Sequence, residues 1–221
     1  KLNKHNILMN IILNYQKYKV SSIILPLGHK MKYFKSYFDK QTQKKYKINL
    51  LNKNKVTLKK NKINLLLFNA GKNTSKNERI LKSLRYINQD YFFLTYGDGV
   101  ADINISKVEN KFKKFNSKAI VCVKKINSNF GHLQIKNMYV KKFEEKPLLT
   151  HPINIGYYIF DKKFFMEKAK KNESLEKNFL PSLAKKKLLL SFNHQGFFFK
   201  FDSKNDLINF KSKGKNFFKY L

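Results

Sequence analysis

The stretch YFFLTYGDGV, residues 91–100, runs from an aromatic, strand-like segment directly into Gly97-Asp98-Gly99. A carboxylate at the C-terminal end of a buried strand lies where open α/β sheets bind ligands. Its oxygens suit a hard divalent cation, typically Mg²⁺, which keeps several waters and bridges to phosphates. Gly97 and Gly99 allow a sharp turn and close approach of a ligand to the backbone. The plainer alternative is an Asp-Gly turn between strand and helix, and Asp98 alone does not separate the two. A second acid, Asp202, ends the aromatic stretch GFFFKFDS and can converge on the same ion. Asp202 or Ser203 can equally cap the helix expected over KNDLINF, and the two roles are compatible. In FEEKP, residues 143–147, Glu145 can accept hydrogen bonds from sugar hydroxyls and Lys146 can neutralise a phosphate; the alternative is a solvated turn. Gly131 (NFG) and the INIG segment, residues 153–156, lie near strands in the same half.

These acids stand out against the composition. The 221 residues hold 47 Lys+Arg but 14 Asp+Glu, a formal charge of +33. Such a charge attracts polyanions. The cations, however, are almost all Lys and are spread along the chain. Only Arg79 and Arg85 carry the planar fork that reads bases and phosphates bidentately. A compositional bias toward Lys, Asn, Ile and Phe accounts for this better than a nucleic-acid site, so no specific nucleic-acid partner is expected. The hydrophobic fraction of 42% supports a folded core. No apolar run approaches the roughly 20 residues of a spanning helix, so no membrane partner is expected. The single cysteine, Cys122, excludes an internal disulfide and fits a reducing cytoplasm, and its mid-strand position reads as core. The chain opens at Lys1 already inside an apolar pattern, HNILMNIILNY, and residues are therefore expected upstream.

The elements that must position these residues alternate. Helical spacing predicts helices over 6–18, 30–38, 76–87 and 105–115, the third capped by Ser75 or Asn77. Short apolar runs predict strands over 20–28, 63–71, 91–99 and 118–126, the first two ending in Gly and the third in the Gly-Asp-Gly motif. The second half is richer in hairpins. GHLQIKNMYVKKFEEKP reads as a hairpin turning at Asn137, and INIGYYIFD as a strand followed by a helix in KKFFMEKAKK. LEKNFLPSLAKK reads as a helix interrupted near Pro181, LLLSFNHQGFFFKFDS as two strands around a Gln-Gly turn, and the last segment as a helix. The predicted fold is α/β: a Rossmann-like, doubly wound, mainly parallel central sheet with a hairpin-rich, mixed C-terminal part, in one domain over 1–221.

In order along the chain, GHKMKYFKSYF, FFLTYGDGVADINI, NFGHLQI, VKKFEEKP, INIGYYIFD and LEKNFLPSLAKKKLLLSFNHQGFFFKFDSKNDL resemble the motif series of sugar-1-phosphate nucleotidyltransferases, closest to glucose-1-phosphate cytidylyltransferase. KGKNFFKYL is similar to that family's last residues. No single motif is decisive; their order and spacing are specific. The resemblance implies that an NTP, with CTP as the expected nucleotide, and a sugar 1-phosphate give an NDP-sugar and pyrophosphate, with Mg²⁺ as cofactor. By similarity, Asp98 and Asp202 hold the metal, Glu145 grips sugar hydroxyls, Lys146 is the catalytic cation on the sugar phosphate, and Gly131 and Asn154 line the sugar pocket. Gly97 and Arg79 complete the expected substrate contacts, and a homo-oligomer is among the expected assemblies. Three departures stand beside it. The family's Gly-x-Gly-Thr-Arg loop and the Lys after it are not in this sequence, which reads as N-terminally truncated. The family's Asp-Thr-Gly is Asn69-Ala70-Gly71, and its Thr-Gly-Gly-Arg is Lys76-Asn77-Glu78-Arg79, which keeps the arginine and loses the glycines. His194 stands where the family has a His before Gly-Phe; a hydrogen-bonded structural role fits it better than a pocket role.

Overall fold

The structure is a computed structural model that describes residues 6–44, 48–50, 55–58, 63–203, 205, 206, 208 and 210. Helix α1 (Ile7–Lys17), strand β1 (Ser22–Leu27) and helix α2 (Met31–Lys44) come first. Strands β2 (Ile48–Leu50), β3 (Lys55–Leu58) and β4 (Ile63–Asn69) follow, then α3 (Lys76–Leu84), β5 (Tyr91–Thr95), β6 (Gly99–Ala101), α4 (Ile105–Lys114) and β7 (Ala119–Lys124). The second half contains β8 (His132–Lys136), β9 (Tyr139–Glu144), β10 (Ile153–Asp161), α5 (Lys162–Lys168), a π turn (Leu175–Phe179), α6 (Leu180–Lys185), β11 (Leu189–Asn193) and β12 (Phe198–Lys200).

The α/β fold predicted from the alternation is present, with its strands in two four-stranded sheets and two ribbons. One sheet has the order β1-β4-β3-β2, the other β11-β7-β10-β5. β1 and β4 run parallel, as do β7 and β11. β10 lies antiparallel to both β7 and β5, so β5, β7 and β11 share one direction and β10 alone opposes it. Helix α1 joins the two sheets. Met9 and Ile12 pack with Ile63, Leu65 and Leu67 under the first, whereas Ile11 and Tyr15 pack with Val100, Ile120 and Tyr157 under the second. This is how an 11-residue helix with apolar residues nearly all round is used: both faces are buried. A third cluster, with Phe92, Phe160, Phe165 and Phe179 fully or almost fully buried, anchors β5 and β10 against α5 and the π turn. Each ring removed from water contributes about 1.5–3 kcal/mol, so the strand ends that follow Phe92 are held firmly.

Two local expectations are refined and one is corrected. The hairpin turns at Asn137-Met138, both with positive φ (47° and 68°), the conformation a two-residue hairpin loop of matching twist demands. Its apolar face, Leu133, Ile135, Val140 and Phe143, is exposed. The helix expected to be interrupted near Pro181 changes type there instead: the π turn runs directly into α6, with Phe179 and Leu180 both in right-handed helical conformation, and Pro181 sits in the first turn of α6. The two strands around Gln195-Gly196 do not pair with each other. β11 joins β7 in parallel and β12 joins β6 antiparallel. Local alternation is the same whichever neighbour a strand takes, so only the burial of Phe198 and Phe199 with α1, α4 and Phe210 selects β6. The final predicted helix is present at residues 205, 206, 208 and 210; its remainder, and KGKNFFKYL, lie outside the described residues.

Candidate active site

The β6–β12 ribbon brings the two predicted metal ligands together. Its register pairs Phe198 with Ala101, Phe199 with Val100 and Lys200 with Gly99. The ladder continues one step further, where the Phe201 amide donates to the Asp98 carbonyl at 2.9 Å. Asp98 and Asp202 therefore stand at adjacent strand ends although 104 positions separate them in sequence. Gly99 faces the Phe198 ring, to which a Cβ would come within 3.1 Å, whereas Gly97 is exposed with open space around it. The Gly97 backbone is thus approachable, as the sequence reading required.

The capping alternative for Asp202 resolves onto its neighbours. Ser203 Oγ accepts from the Asp206 amide at 3.2 Å, and Asp206 Oδ2 accepts from the Ser203 amide at 2.7 Å and the Asp202 amide at 2.9 Å. This is a reciprocal capping box, and it leaves the Asp202 carboxylate outside the cap. That carboxylate instead pairs with Lys200 Nζ at 2.8 Å, and the hydrogen bond that Lys200 donates to Asp202 raises the ammonium pKa above its ordinary value. Two carboxylates at converging strand ends fit Mg²⁺, which uses one or two protein carboxylates and fills its octahedron with water and substrate phosphate. The described residues contain no cluster of three or more His, Cys, Asp or Glu side chains.

The sugar-side residues form a second group. Glu145 and Lys146 are both exposed and pair with each other at 3.6 Å. Gly131 underlies them: a Cβ there would lie 2.8 Å from Phe143 Cζ and 3.1 Å from Glu145 Oε2. Its absence lets Glu145 lie on the backbone. Asn154 is exposed on β10, where the register with β7 shifts. It is tied to the β5 end rather than to Glu145, through a polar chain that sequence reasoning missed. Asn154 Oδ1 accepts from the Gly156 amide at 2.8 Å, and Asn154 Nδ2 donates to the Tyr158 hydroxyl. Tyr158 donates to the Tyr96 hydroxyl at 3.0 Å, and Tyr96 donates to Glu176 in the π turn, which also binds Lys76. Burial alone would raise the Glu176 carboxyl; the hydrogen bonds from Lys76 and Tyr96 outweigh it and hold the group below the usual carboxylate value. Burial first, and the bond to Glu176 second, raise the Tyr96 phenol. The signal available in the sequence was Glu176 itself, one of 14 acids, at the head of LEKNF.

Arg79 sits elsewhere and is well occupied. Its guanidinium donates to the carbonyls of Thr74, Pro26, Gly71 and Lys72 at 3.1–3.4 Å. It clamps the C-terminal ends of β1 and β4. Gly28 permits this, since a Cβ there would meet the Gly71 carbonyl at 2.6 Å and an Arg79 nitrogen at 2.8 Å. Ser75, not Asn77, caps α3, accepting from the Glu78 amide at 3.0 Å. His194 is structural, as expected: its buried Nε2 meets the Phe197 carbonyl at 2.8 Å and lies 3.0 Å from Asp102 Oδ1. One ring nitrogen carries one hydrogen, so the carbonyl takes the bond and Asp102 a close approach. Cys122 is buried in the sheet, and burial pushes its thiol up to about 12.

Comparison with known proteins decides the class. The model of the nucleotidyl transferase family matches residues 2–203. The chain belongs to the nucleotidyl transferase family. A probable glucose-1-phosphate cytidylyltransferase of Bacillus subtilis (strain 168) is 31% identical over 206 residues, 91% of this chain and 81% of that protein. The glucose-1-phosphate cytidylyltransferase of Salmonella typhimurium is 26% identical over 208 residues, with the same shares of each chain. Among solved structures, HddC from Yersinia pseudotuberculosis, complexed with GMP-PN, superposes with a TM-score of 0.68 at 20% identity, covering 97% of this chain and 88% of that one. A putative glucose-1-phosphate thymidylyltransferase from Bacillus anthracis gives 0.68 at 13% identity over 98% and 85%. The two structural likenesses establish the shared α/β fold. The resemblance read from the motif series is borne out: this nucleotidyl transferase is similar over nine-tenths of its length to sugar-1-phosphate nucleotidyltransferases, which are enzymes. Among the described residues, no helix is long and apolar enough to cross a membrane.

Proposed function

We propose that this nucleotidyl transferase joins CTP and glucose 1-phosphate to give CDP-glucose and pyrophosphate, as one domain in the cytoplasm that supplies activated hexose for surface polysaccharide. The observation that carries the reading is the β6–β12 ribbon, which sets Asp98 beside Asp202 in a chain whose curated relatives are named glucose-1-phosphate cytidylyltransferases. A phosphate oxygen of the sugar 1-phosphate attacks the α-phosphorus in line. As that P–O bond forms, the bond from the α-phosphorus to the oxygen bridging to the β-phosphate breaks, and pyrophosphate leaves. Asp98 and Asp202 would hold Mg²⁺, which when bound neutralises charge on the phosphates. Lys146 supplies an exposed cation for the sugar phosphate, Glu145 accepts from sugar hydroxyls, and Asn154 and the Gly131 backbone line the sugar. Gly97 allows the substrate close to the backbone at the metal. Arg79 braces the carbonyl turn on the side where the base would lie.

The test is pyrophosphate release with each of the four NTPs and glucose 1-phosphate, using wild type and Asp98→Ala. Turnover fastest with CTP and lost in Asp98→Ala is the expected result. The departures at residues 69–71 and 76–78, with Arg79 engaged by four carbonyls, favour a second reading: a relative that binds nucleotide or sugar phosphate without turning it over. Binding without pyrophosphate release under any NTP would establish that reading instead.

A further inference from the structure

The polar chain from Lys76 to Asn154 has a direction. A backbone N–H can only donate, so the Gly156 amide fixes Oδ1 of Asn154 toward itself and turns Nδ2 toward Tyr158. The Tyr158 oxygen accepts that bond and sends its own proton to Tyr96, which in turn sends its proton to Glu176. A carboxylate accepts and does not donate, so the chain ends there, and Lys76 neutralises it. Every hydroxyl has one place for its proton. The backbone repeats the constraint: Tyr96 N donates to the Gly156 carbonyl at 3.0 Å, and Gly156, with φ +77°, has the Tyr96 ring where a Cβ would be. Asn154 is exposed, while Tyr158 is buried and Tyr96 and Glu176 are half-buried. The exposed amide thus keeps its second N–H for a ligand, and its orientation is set about three side chains away.

We infer that Glu176 is a positioning residue for sugar recognition: through Tyr96 and Tyr158 it fixes the Asn154 amide so that an N–H faces a hydroxyl or phosphate oxygen of the sugar 1-phosphate. This rests on the reading of Asn154 as part of the sugar site. Tyr96 also precedes Gly97-Asp98, so the same chain steadies the strand end that carries the metal ligand. Removing Glu176 leaves the Tyr96 proton without its acceptor. It can then turn toward Tyr158, where it competes with the Asn154 amide for one oxygen.

The experiment compares steady-state KM values, and Kd for glucose 1-phosphate by calorimetry with a non-hydrolysable CTP analogue present, for wild type, Glu176→Ala, Glu176→Gln, Tyr158→Phe and the Glu176→Ala/Tyr158→Phe double variant. Glu176→Ala should raise KM and Kd for the sugar phosphate about tenfold while KM for CTP stays within about twofold. Tyr158→Phe should do the same, and the double variant should be no worse than either single, because each cuts the same chain. Glu176→Gln keeps an acceptor oxygen and should recover most of the loss. Additive effects, equal changes in both KM values, or a Gln variant as poor as Ala would overturn the inference. If wild type turns over and the variants match it, this inference fails and the proposed function stands. If wild type neither turns over nor binds glucose 1-phosphate, both fail.

Discussion

The carbonyl of Asp98 accepts a hydrogen bond from the amide of Phe201 at 2.9 Å, so one rung of an antiparallel ladder sets the first candidate metal ligand beside the second, Asp202. The pair exists because of strand pairing. If it holds a divalent cation, neutralising either acid should matter as much as neutralising the other. Asp98→Asn and Asp202→Asn should each lower kcat at least about 100-fold, the equivalent of roughly 3 kcal/mol. Each should also weaken Mn²⁺ binding measured by electron paramagnetic resonance. A variant that retains wild-type Mn²⁺ affinity removes that residue from the metal site.

Lys200 already neutralises Asp202, at 2.8 Å and with both side chains at least half exposed. An entering cation must displace this ammonium. An exposed ion pair is worth about 0.2–1 kcal/mol, so Lys200→Met should tighten Mn²⁺ binding modestly, by about two- to fivefold. Weaker binding in Lys200→Met would mean that the lysine supports the site rather than competing for it.

Gly156 joins the sugar side to the metal side. Its φ of +77° disfavours any L side chain, and a Cβ would sit 2.8 Å from Tyr96 Cδ2. Gly156→Ala should cost roughly 1–3 kcal/mol and lower Tm by several degrees in thermal unfolding. An unchanged Tm would show that Tyr96 moves aside at little expense.

The Glu176 carboxyl is held below its ordinary value, with burial opposed and outweighed by the bonds from Lys76 and Tyr96. A depressed folded-state pKa contributes stability above the unfolded carboxyl pKa of about 4.3, and that contribution is lost as pH falls through the lower folded value. Wild type should therefore exceed Glu176→Gln in urea stability at pH 6–7, and the difference should shrink as pH falls below about 4. A gap that is constant with pH would trace to packing rather than charge.

Cys122 is 1% exposed, and its thiol is pushed up to about 12, so thiolate is scarce at neutral pH. It should react with a thiol-specific disulfide reagent only as fast as the protein opens, and promptly once the chain is unfolded in guanidinium. Prompt reaction of the native protein would place that strand near a solvent path.

The motif residues were legible wherever the cause is local. Gly97-Asp98-Gly99 follows an aromatic strand because a buried strand must end in a turn, and Ser75 caps α3 because a hydroxyl at that spacing reaches the Glu78 amide. Asn137 marks the hairpin because its backbone tolerates positive φ. Each depends on neighbours within a few positions, which the sequence displays directly. The order of such signals also identified the family. The partner of β12 was not legible, nor was the acceptor for Tyr96, 80 positions away in the π turn. The alternation of Phe198–Lys200 suits pairing with β11 or β6 equally well, and a lone Glu176 reads as solvated until a buried phenol is set against it. By itself, then, the sequence determined most of the strands and helices, though not β2, β3 or β6, and which strand ends carry carboxylates. The tertiary structure decided which of those ends meet, because pairing and buried hydrogen bonds are chosen by the whole core competing for the same surfaces, and that competition leaves no mark on local spacing.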